Sequence, residues 1–322
     1  MIKKERKIPL TIKKYEALLR RLPKNHPKRE QIEEELAKSL AGYQGEKAID
    51  YYLDFLPQDR YYIFHDLRLK VGDKKYTQID TCILTSRFLL ILEVKNISGT
   101  LFFDQSFHQL IRTKNEKEEG FPDPVLQVKR QQHFVTKWLQ NNRFPSIPIE
   151  TFIVISHPSS IIKTAPRHKE IYEKVLHSAY LPQKIEQLEK CYQKDILTLK
   201  VMKKISRHFI KKHTPLDFDV LSQFELSKSE ILSGVHCPTC FTLPLVRKRG
   251  TWLCQKCLSS YKDAHVQTLH DYALLISPTI TNRECRDFLH LSSPSIASKL
   301  LVSLSLKHWG TYKNRTYILT IR

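Results

Sequence analysis

The 322-residue sequence has no long hydrophobic run. Its uninterrupted apolar stretches stop at five residues, as in Phe88–Leu92. A helix needs ~20 to cross a bilayer. No apolar h-region follows the charged N-terminus, so no secretory leader is read and a cytoplasmic protein without membrane contact is expected. No internal repeat or low-complexity tract is visible, which speaks against a solenoid or a linker-like chain. Acidic residues are in short supply, 33 Asp and Glu against 53 Lys and Arg, leaving a formal charge of +20. Cysteine gives no even set for disulfides: there are seven, and four fall in two Cys-x-x-Cys pairs. In a reducing compartment that pattern indicates metal before disulfide.

The positive charge is uneven. Residues 1–29 carry 11 Lys/Arg against 2 Asp/Glu, and residues 233–322 carry 12 against 4, while residues 30–232 are nearly balanced at 30 against 27. Basic ends favour a polyanionic partner, nucleic acid first and an anionic membrane second.

Between the ends, periodicity reads as an α/β chain. Apolar residues at helical spacing predict a helix up to about Leu40 and a second from about Gln44 to Phe55, with Gly42 and Gly45 as the break. Strands are expected at "YYIFHDLRL", Thr77–Leu84, Phe88–Lys95, "TLFFD", "ETFIVIS" and within "YEKVLHSAYL". "DPVLQVKRQQHFVTKWLQ" reads as a helix with Pro124 in its first turn, and the segment from Pro182 to His213 as mostly helical.

The most apolar region also holds three charges, Asp80, Glu93 and Lys95. Glu93 and Lys95 are two apart on a strand and share a face. A hairpin centred on Ser86 and Arg87 puts Asp80 across from Glu93 and Lys95 across from Gln78. Facing Cβ atoms lie ~5 Å apart, where two carboxylates repel unless a proton or cation sits between them. Mg²⁺ is held by one or two carboxylates plus water and phosphate oxygens. A three-residue loop would shift this register by one, and an exposed face of salt bridges is the plainer reading of the same residues. His65 and Asp66, in "IFHDL", read as strand residues satisfied locally.

The blocks "GEKAIDYYL", "YYIFHDLRL", "TQIDTCILTSRFLLILEVKNISGTL" and "DPVLQVKRQQHF" follow one another as in the nuclease-related domain (NERD) family, which this chain resembles over about residues 40–160. That family belongs to the PD-(D/E)XK superfamily, so the resemblance implies a restriction-endonuclease-like central mixed sheet flanked by helices. By motif match it implies that Asp80 and Glu93 bind Mg²⁺ or Mn²⁺, that Lys95 is catalytic, and that Glu46 and Gln127 supply the helix acid and helix amide. The Pro that usually precedes the Asp is replaced by Ile79. The implied chemistry is phosphodiester hydrolysis, with the metal activating water and Lys95 orienting it or stabilising the pentavalent charge.

"CPTC" and "CQKC" place Cys237, Cys240, Cys254 and Cys257 as two knuckles joined by a short hairpin, the pattern of a zinc ribbon with a structural Zn²⁺. His236 and His265 are possible substitutes that the quartet does not need. Arg247, Lys248 and Arg249 lie between the knuckles and could touch phosphate or form a solvated turn. Cys82 reads as core packing.

The last sixty residues read as helix, turn, helix and hairpin, resembling a winged helix-turn-helix. Thr281 is a candidate N-cap. Ser295, Lys299, Lys313 and Arg315 are candidate nucleic-acid contacts. The expected organisation is a basic helical arm (1–39), a nuclease-like core with a helical extension (40–232), a zinc ribbon (233–262) and a winged-helix-like end (263–322). The reading that joins these parts is a metal-dependent nuclease, DNA favoured over RNA. The alternative is a non-catalytic nucleic-acid-binding or adaptor protein on a nuclease fold, with a protein partner on the ribbon or wing.

Overall fold

The structure is a computed structural model that describes residues 1–57, 59–72, 75–166, 168–311 and 314–319. Contacts divide the chain into two compact units, Met1–Ile8 with Leu40–Leu216, and Pro9–Ser39 with Asp217–Arg322. Among the described residues no helix is long and apolar enough to cross a membrane.

The chain opens on β1 (Ile2–Lys4), α1 (Leu10–Arg21) and α2 (Arg29–Ala48). The break expected at Gly42 and Gly45 does not occur: α2 continues to Ala48, and the single turn α3 (Asp50–Leu53) follows. Gly45 serves close approach instead. A Cβ there would lie 2.3 Å from Asn96 Cβ and 2.8 Å from Ser156 Oγ. The Asn96 amide uses that proximity to donate to the Ala41 carbonyl at 2.8 Å.

The first unit then lays down β2 (Tyr62–Lys70), β3 (Tyr76–Leu84), β4 (Leu89–Lys95), β5 (Thr100–Asp104), β6 (Gln109–Lys114) and β7 (Lys117–Pro122). After them come α4 (Pro124–Asn141), β8 (Ile149–Ile155), β9 (Ile161–Thr164), α5 (Lys169–Lys174), β10 (Val175–His177), α6 (Leu181–Cys191) and α7 (Leu199–Lys212). A six-stranded mixed sheet runs β1-β2-β3-β4-β8-β10, and a smaller one runs β7-β6-β5-β9. β4 is apolar on both faces because it is central. Leu89 and Ile91 pack with Trp138 of α4 and Phe209 of α7, while Leu90 and Leu92 pack with Leu181 and Ile185 of α6. Helices therefore cover both faces of the main sheet.

The β3–β4 turn has the two-residue length that the register required. Thr85 and Phe88 close it through Thr85 N–H to Phe88 O at 3.0 Å. Ser-Arg lacks the usual turn chemistry, and Thr85 supplies it: its hydroxyl accepts from Arg87 N–H at 3.0 Å and from Phe88 N–H at 2.9 Å. Asp195 then holds the tip, accepting from Ser86 Oγ at 2.6 Å and Arg87 Nε at 3.0 Å.

The second unit gathers α1 and the first half of α2 with α8 (Val220–Gln223), β11 (Val246–Lys248), β12 (Thr251–Leu253) and β13 (Ser260–Tyr261). It ends with α9 (Ala264–Leu275), β14 (Thr279–Thr281), α10 (Asn282–Leu289), α11 (Pro294–Ser303), β15 (His308–Trp309) and β16 (Thr316–Ile318). The last three strands form a sheet ordered β14-β16-β15. Thr281 caps α10 in a reciprocal capping box with Glu284. A fully buried ion pair lies inside this unit: Arg21 of α1 donates from Nε to Asp271 Oδ2 of α9 at 2.9 Å and from Nη1 to Gly234 O at 2.6 Å.

Candidate active site

The β3–β4 ladder pairs Thr81 with Leu92 and Cys82 with Ile91. One step further along the same register stand Asp80 and Glu93. There the backbone pairing gives way to a side-chain bond: Val94 N–H donates to Asp80 Oδ2 at 2.8 Å. That bond fixes the Asp80 carboxylate beside Glu93. On its other flank Asp80 faces Asp66, whose φ of +47° takes it out of the β2–β3 ladder that continues on both sides.

Glu93 is 3% exposed, and a buried carboxylate is tolerable only with partners. It has two. Lys95 Nζ donates to Glu93 Oε1 at 2.7 Å, and Gln131 Nε2 of α4 donates to Glu93 Oε2 at 2.8 Å. Lys95 Nζ also donates to Gln127 Oε1 of α4 at 3.1 Å. The two glutamines lie one helical turn apart, so both face the sheet. Asp123 caps this helix, accepting from Val125 N–H at 2.8 Å, and Pro124 occupies its first position. Gln131 Nε2 donates as well to Gln78 O at 2.9 Å, and its Oε1 is buried without a hydrogen-bond partner.

Glu46 arrives from α2 and is held by a residue far away in sequence. Arg6 donates from Nη1 to Glu46 Oε2 at 2.6 Å, from Nε and Nη2 to Asp50 at 3.1 Å each, and from Nη2 to Thr81 Oγ1 at 3.0 Å. His65 Nδ1 lies 2.8 Å from Arg6 Nη2. Burial, the Arg6 guanidinium and Lys4 lower the His65 pKa to about 4, against the pull of Asp50.

The acids crowd one another. Asp80 keeps some solvent exposure, yet its carboxyl is enclosed by protein. Burial, and then the charges of Glu93 and Glu46, push its pKa well above the usual carboxylate range. Burial also drives Glu46 up to about 7; Arg6 opposes the rise, and Asp66, Glu93 and Asp50 add to it. A cation among these groups would relieve both. Asp80, Glu93 and Glu46 are not drawn within 4.8 Å of one another as a trio. An ion that takes one or two carboxylates and keeps several waters suits so open a set. The donor chemistry and the unpartnered Gln131 Oε1 therefore fit a hydrated divalent ion.

The second metal-ligating set is tight. Among the described residues, Cys237, Cys240, Cys254 and Cys257 are the one group of three or more candidate ligands whose donor atoms all lie within 4.8 Å. Cys237 Sγ lies 3.6 Å from Cys257 Sγ, and Cys240 Sγ 3.5 Å from Cys254 Sγ. Those spacings are far from a bonded pair and close to the ~3.8 Å edge of a tetrahedron with 2.3 Å metal–sulfur bonds. Backbone N–H groups of Cys240 and Cys257 point at Cys237 Sγ and Cys254 Sγ at 3.5 and 3.4 Å. Hydrogen bonding to Thr242, first among its causes, pulls the Cys240 thiol down to about 6, favouring the thiolate that binds metal. The quartet is compatible with a zinc ribbon. His236 and His265 turn elsewhere: His236 Nδ1 lies 3.1 Å from Arg21 Nη2, and His265 Nδ1 accepts from the Trp252 indole at 3.3 Å.

The candidate nucleic-acid contacts all fall in the second unit. Lys248 and Arg249 are exposed at the β11–β12 turn, where Arg249 and Gly250 have positive φ. Arg247 is half-buried, lies over the Trp252 ring and leaves Nη1 without a partner. Ser295 and Lys299 are exposed on α11, Arg315 is half-buried, and Lys313 lies outside the described residues.

Two participants had little or no sequence signal. Gln131 could have been found from its i+4 spacing to Gln127. Arg6 could not, because only folding brings the N-terminal segment to Glu46.

The first unit is thus an α/β domain, a mixed sheet flanked by helices with an acid on one strand and Glu-x-Lys on the next. Comparison of families agrees at finer grain: residues 41–156 match the family model of the nuclease-related domain. The match takes in Glu46, Asp80, Glu93, Lys95, Gln127 and Gln131 and leaves Arg6 and α7 outside. No curated protein and no solved structure matches the chain.

Proposed function

We propose that the protein is a nuclease that hydrolyses phosphodiester bonds with Mg²⁺ or Mn²⁺, acting on DNA in preference to RNA. The observation that carries this reading is the convergence of Asp80, Glu93 and Lys95 at the end of one ladder, with Lys95 fixed between Glu93 and Gln127.

Asp80 and Glu93 would hold the divalent ion, with Glu46 as a further carboxylate. When bound, it would supply charge stabilisation and an acidified water. The protein's own part is positioning. Val94 N–H fixes one Asp80 oxygen and leaves Oδ1 for the ion. Lys95 has three N–H donors. Two go to Glu93 and Gln127, and the third is available to a phosphate oxygen or the attacking water. Gln131 steadies Glu93 from the far side.

In the second unit the four thiolates would hold a structural Zn²⁺, closed by four ligands and without a hydrolytic role. Seven free cysteines fit a reducing, cytoplasmic setting. The element order α9-β14-α10-α11-β15-β16, with strand order β14-β16-β15, supports a winged helix. Lys248, Arg249, Ser295, Lys299 and Arg315 are its candidate phosphate contacts, shared with the ribbon.

The test is cleavage of labelled DNA and RNA with Mn²⁺ by the protein and by Glu93→Ala and Lys95→Ala. The expected result is cleavage lost in both variants with nucleic-acid binding retained. Tight binding by the unaltered protein with no cleavage under any divalent metal would instead favour a binding protein on a nuclease fold.

A further inference from the structure

α7 divides its residues by chemistry. Met202, Ile205, Ser206 and Phe209 are buried. Met202, Ile205 and Phe209 pack on the sheet face that carries Phe64, Cys82 and Ile91. Lys200, Lys203, Lys204, Arg207 and Lys211 recur at helical spacing on the opposite side, and all are exposed. The helix contains no acid. On α2 and α6, by contrast, cations pair with acids of their own helix: Arg29 with Glu33, Lys38 with Glu35 and Lys190 with Glu186. Among the described residues none of the five α7 cations has an acidic partner within 4.0 Å.

The stripe has a length and a direction. From Lys200 to Lys211 it extends ~16 Å at 1.5 Å per residue, about five base steps of a duplex at 3.4 Å each. Its C-terminal end is tied to β2: Thr214 N–H donates to Arg68 O at 3.0 Å, and His213 Nδ1 accepts from Arg68 N–H at 3.1 Å. Arg68 is two residues from Asp66, the neighbour of Asp80. A groove of about 490 Å³ opens at this end, lined among others by Lys70, Asn141, Asn142, Lys211 and Lys212. α4 covers the same sheet face, so the stripe and the Gln127–Gln131 face belong to one side of the first unit.

We propose that this face of α7 is a phosphate-backbone track that delivers nucleic acid to the Asp80–Glu93 pair, giving the first unit its own binding surface. The inference rests on nucleic acid being the substrate. Five cations in one row without acidic partners repel, and a polyanion relieves that repulsion with release of counterions. α7 exposes two large apolar side chains, Leu199 and Ile210, one at each end of the helix, rather than the continuous apolar face that a membrane-surface helix buries.

The test uses the full chain with Lys203→Glu and Arg207→Glu together, and a control with Lys190→Glu and Lys194→Glu on the α6 side. Binding to a short fluorescein-labelled duplex is read by anisotropy across a salt series without added divalent metal. The α7 variant is expected to bind about ten-fold or more weakly, with a slope of log K against log salt shallower by about two, and the control to bind like the unaltered protein. Equal affinity and slope in the α7 variant, or an equal fall in the control, overturns the track. So does loss of binding to phosphatidylserine vesicles with duplex binding intact. Loss of duplex binding in the α7 variant alongside no Mn²⁺ cleavage by the unaltered protein upholds the track and removes the hydrolytic reading. Cleavage that depends on Glu93, with binding indifferent to α7, does the reverse.

Discussion

Arg6 reaches Glu46 across forty residues of chain, donating to its carboxylate at 2.6 Å from a side chain only 4% exposed. The same guanidinium forks onto Asp50. Removing one member of a buried charge pair leaves the other uncompensated. Arg6→Ala is therefore expected to destabilise the first unit by about 2–4 kcal/mol in urea unfolding. Arg6→Lys should recover only part of this, since an ammonium lacks the planar fork. Equal stability of Arg6→Ala and the unaltered protein would refute the structural role.

The two glutamines of α4 should separate stability from chemistry. Gln131 is buried against Glu93 and the Gln78 carbonyl. Gln131→Ala strands a buried carboxylate oxygen, at a cost of about 1–3 kcal/mol. Gln127 is half-exposed and bonds only to Lys95. Gln127→Ala should change stability by less than about 0.5 kcal/mol while lowering kcat about ten-fold or more, with substrate binding preserved. Urea titration beside single-turnover cleavage reads both quantities.

The cysteine quartet predicts one tightly held metal per chain. Stripping it should unfold the region around Trp252, which packs in the same cluster as Cys237 and Cys254. Metal analysis, with near-ultraviolet circular dichroism before and after a chelator, checks this. Cys254→Ser should lose the metal and the Trp252 signal, while the first unit keeps its own unfolding transition.

One contribution to stability should be lost in mild acid, that of His65. His65 titrates at about 4 when folded against 6.5 for the ordinary side chain. The unfolded chain thus binds more protons between those values. The stability owed to the neutral ring is complete above pH 6.5 and declines towards pH 4, by up to ~1.4 kcal/mol per pH unit. Glu46, raised to about 7, and Asp80, raised well above its usual range, act in the opposite sense, their share growing as pH falls. The His65 part is read as the difference between paired thermal melts: the stability gap between the unaltered protein and His65→Gln should narrow from pH 7 to pH 5. His236, also lowered to about 4 by burial and Arg21, leaves a residual slope from the second unit.

Much of the site was legible in the sequence because a strand's two-residue period is rigid. Once a two-residue turn at Ser86 and Arg87 is assumed, alternation alone places Asp80 against Glu93, and the ladder has that register. Asp195 and Thr85, which make such a turn possible, carry no local mark. β6, β7 and β9 carry little strand signal because they are mostly polar, and pairing rather than their own hydrophobicity makes them strands: β6 and β9 on β5, and β7 on β6. Gly42 and Gly45 were read as a helix break because propensity is a weak prior; Gly45 is there to admit Asn96. Asp66 seemed an ordinary strand residue, since its left-handed backbone is set by tertiary context.

Arg21 and Asp271 are separated by 250 residues. During synthesis α1 leaves the ribosome first, and at ~5–20 residues per second its counter-charge follows tens of seconds later. Until then a guanidinium destined for complete desolvation stays in water. A chain cut short before α9 would keep the apolar partners of α1 at Ile32, Val220 and Phe224 but leave Arg21 without its counter-charge, an evident target for chaperones or proteases.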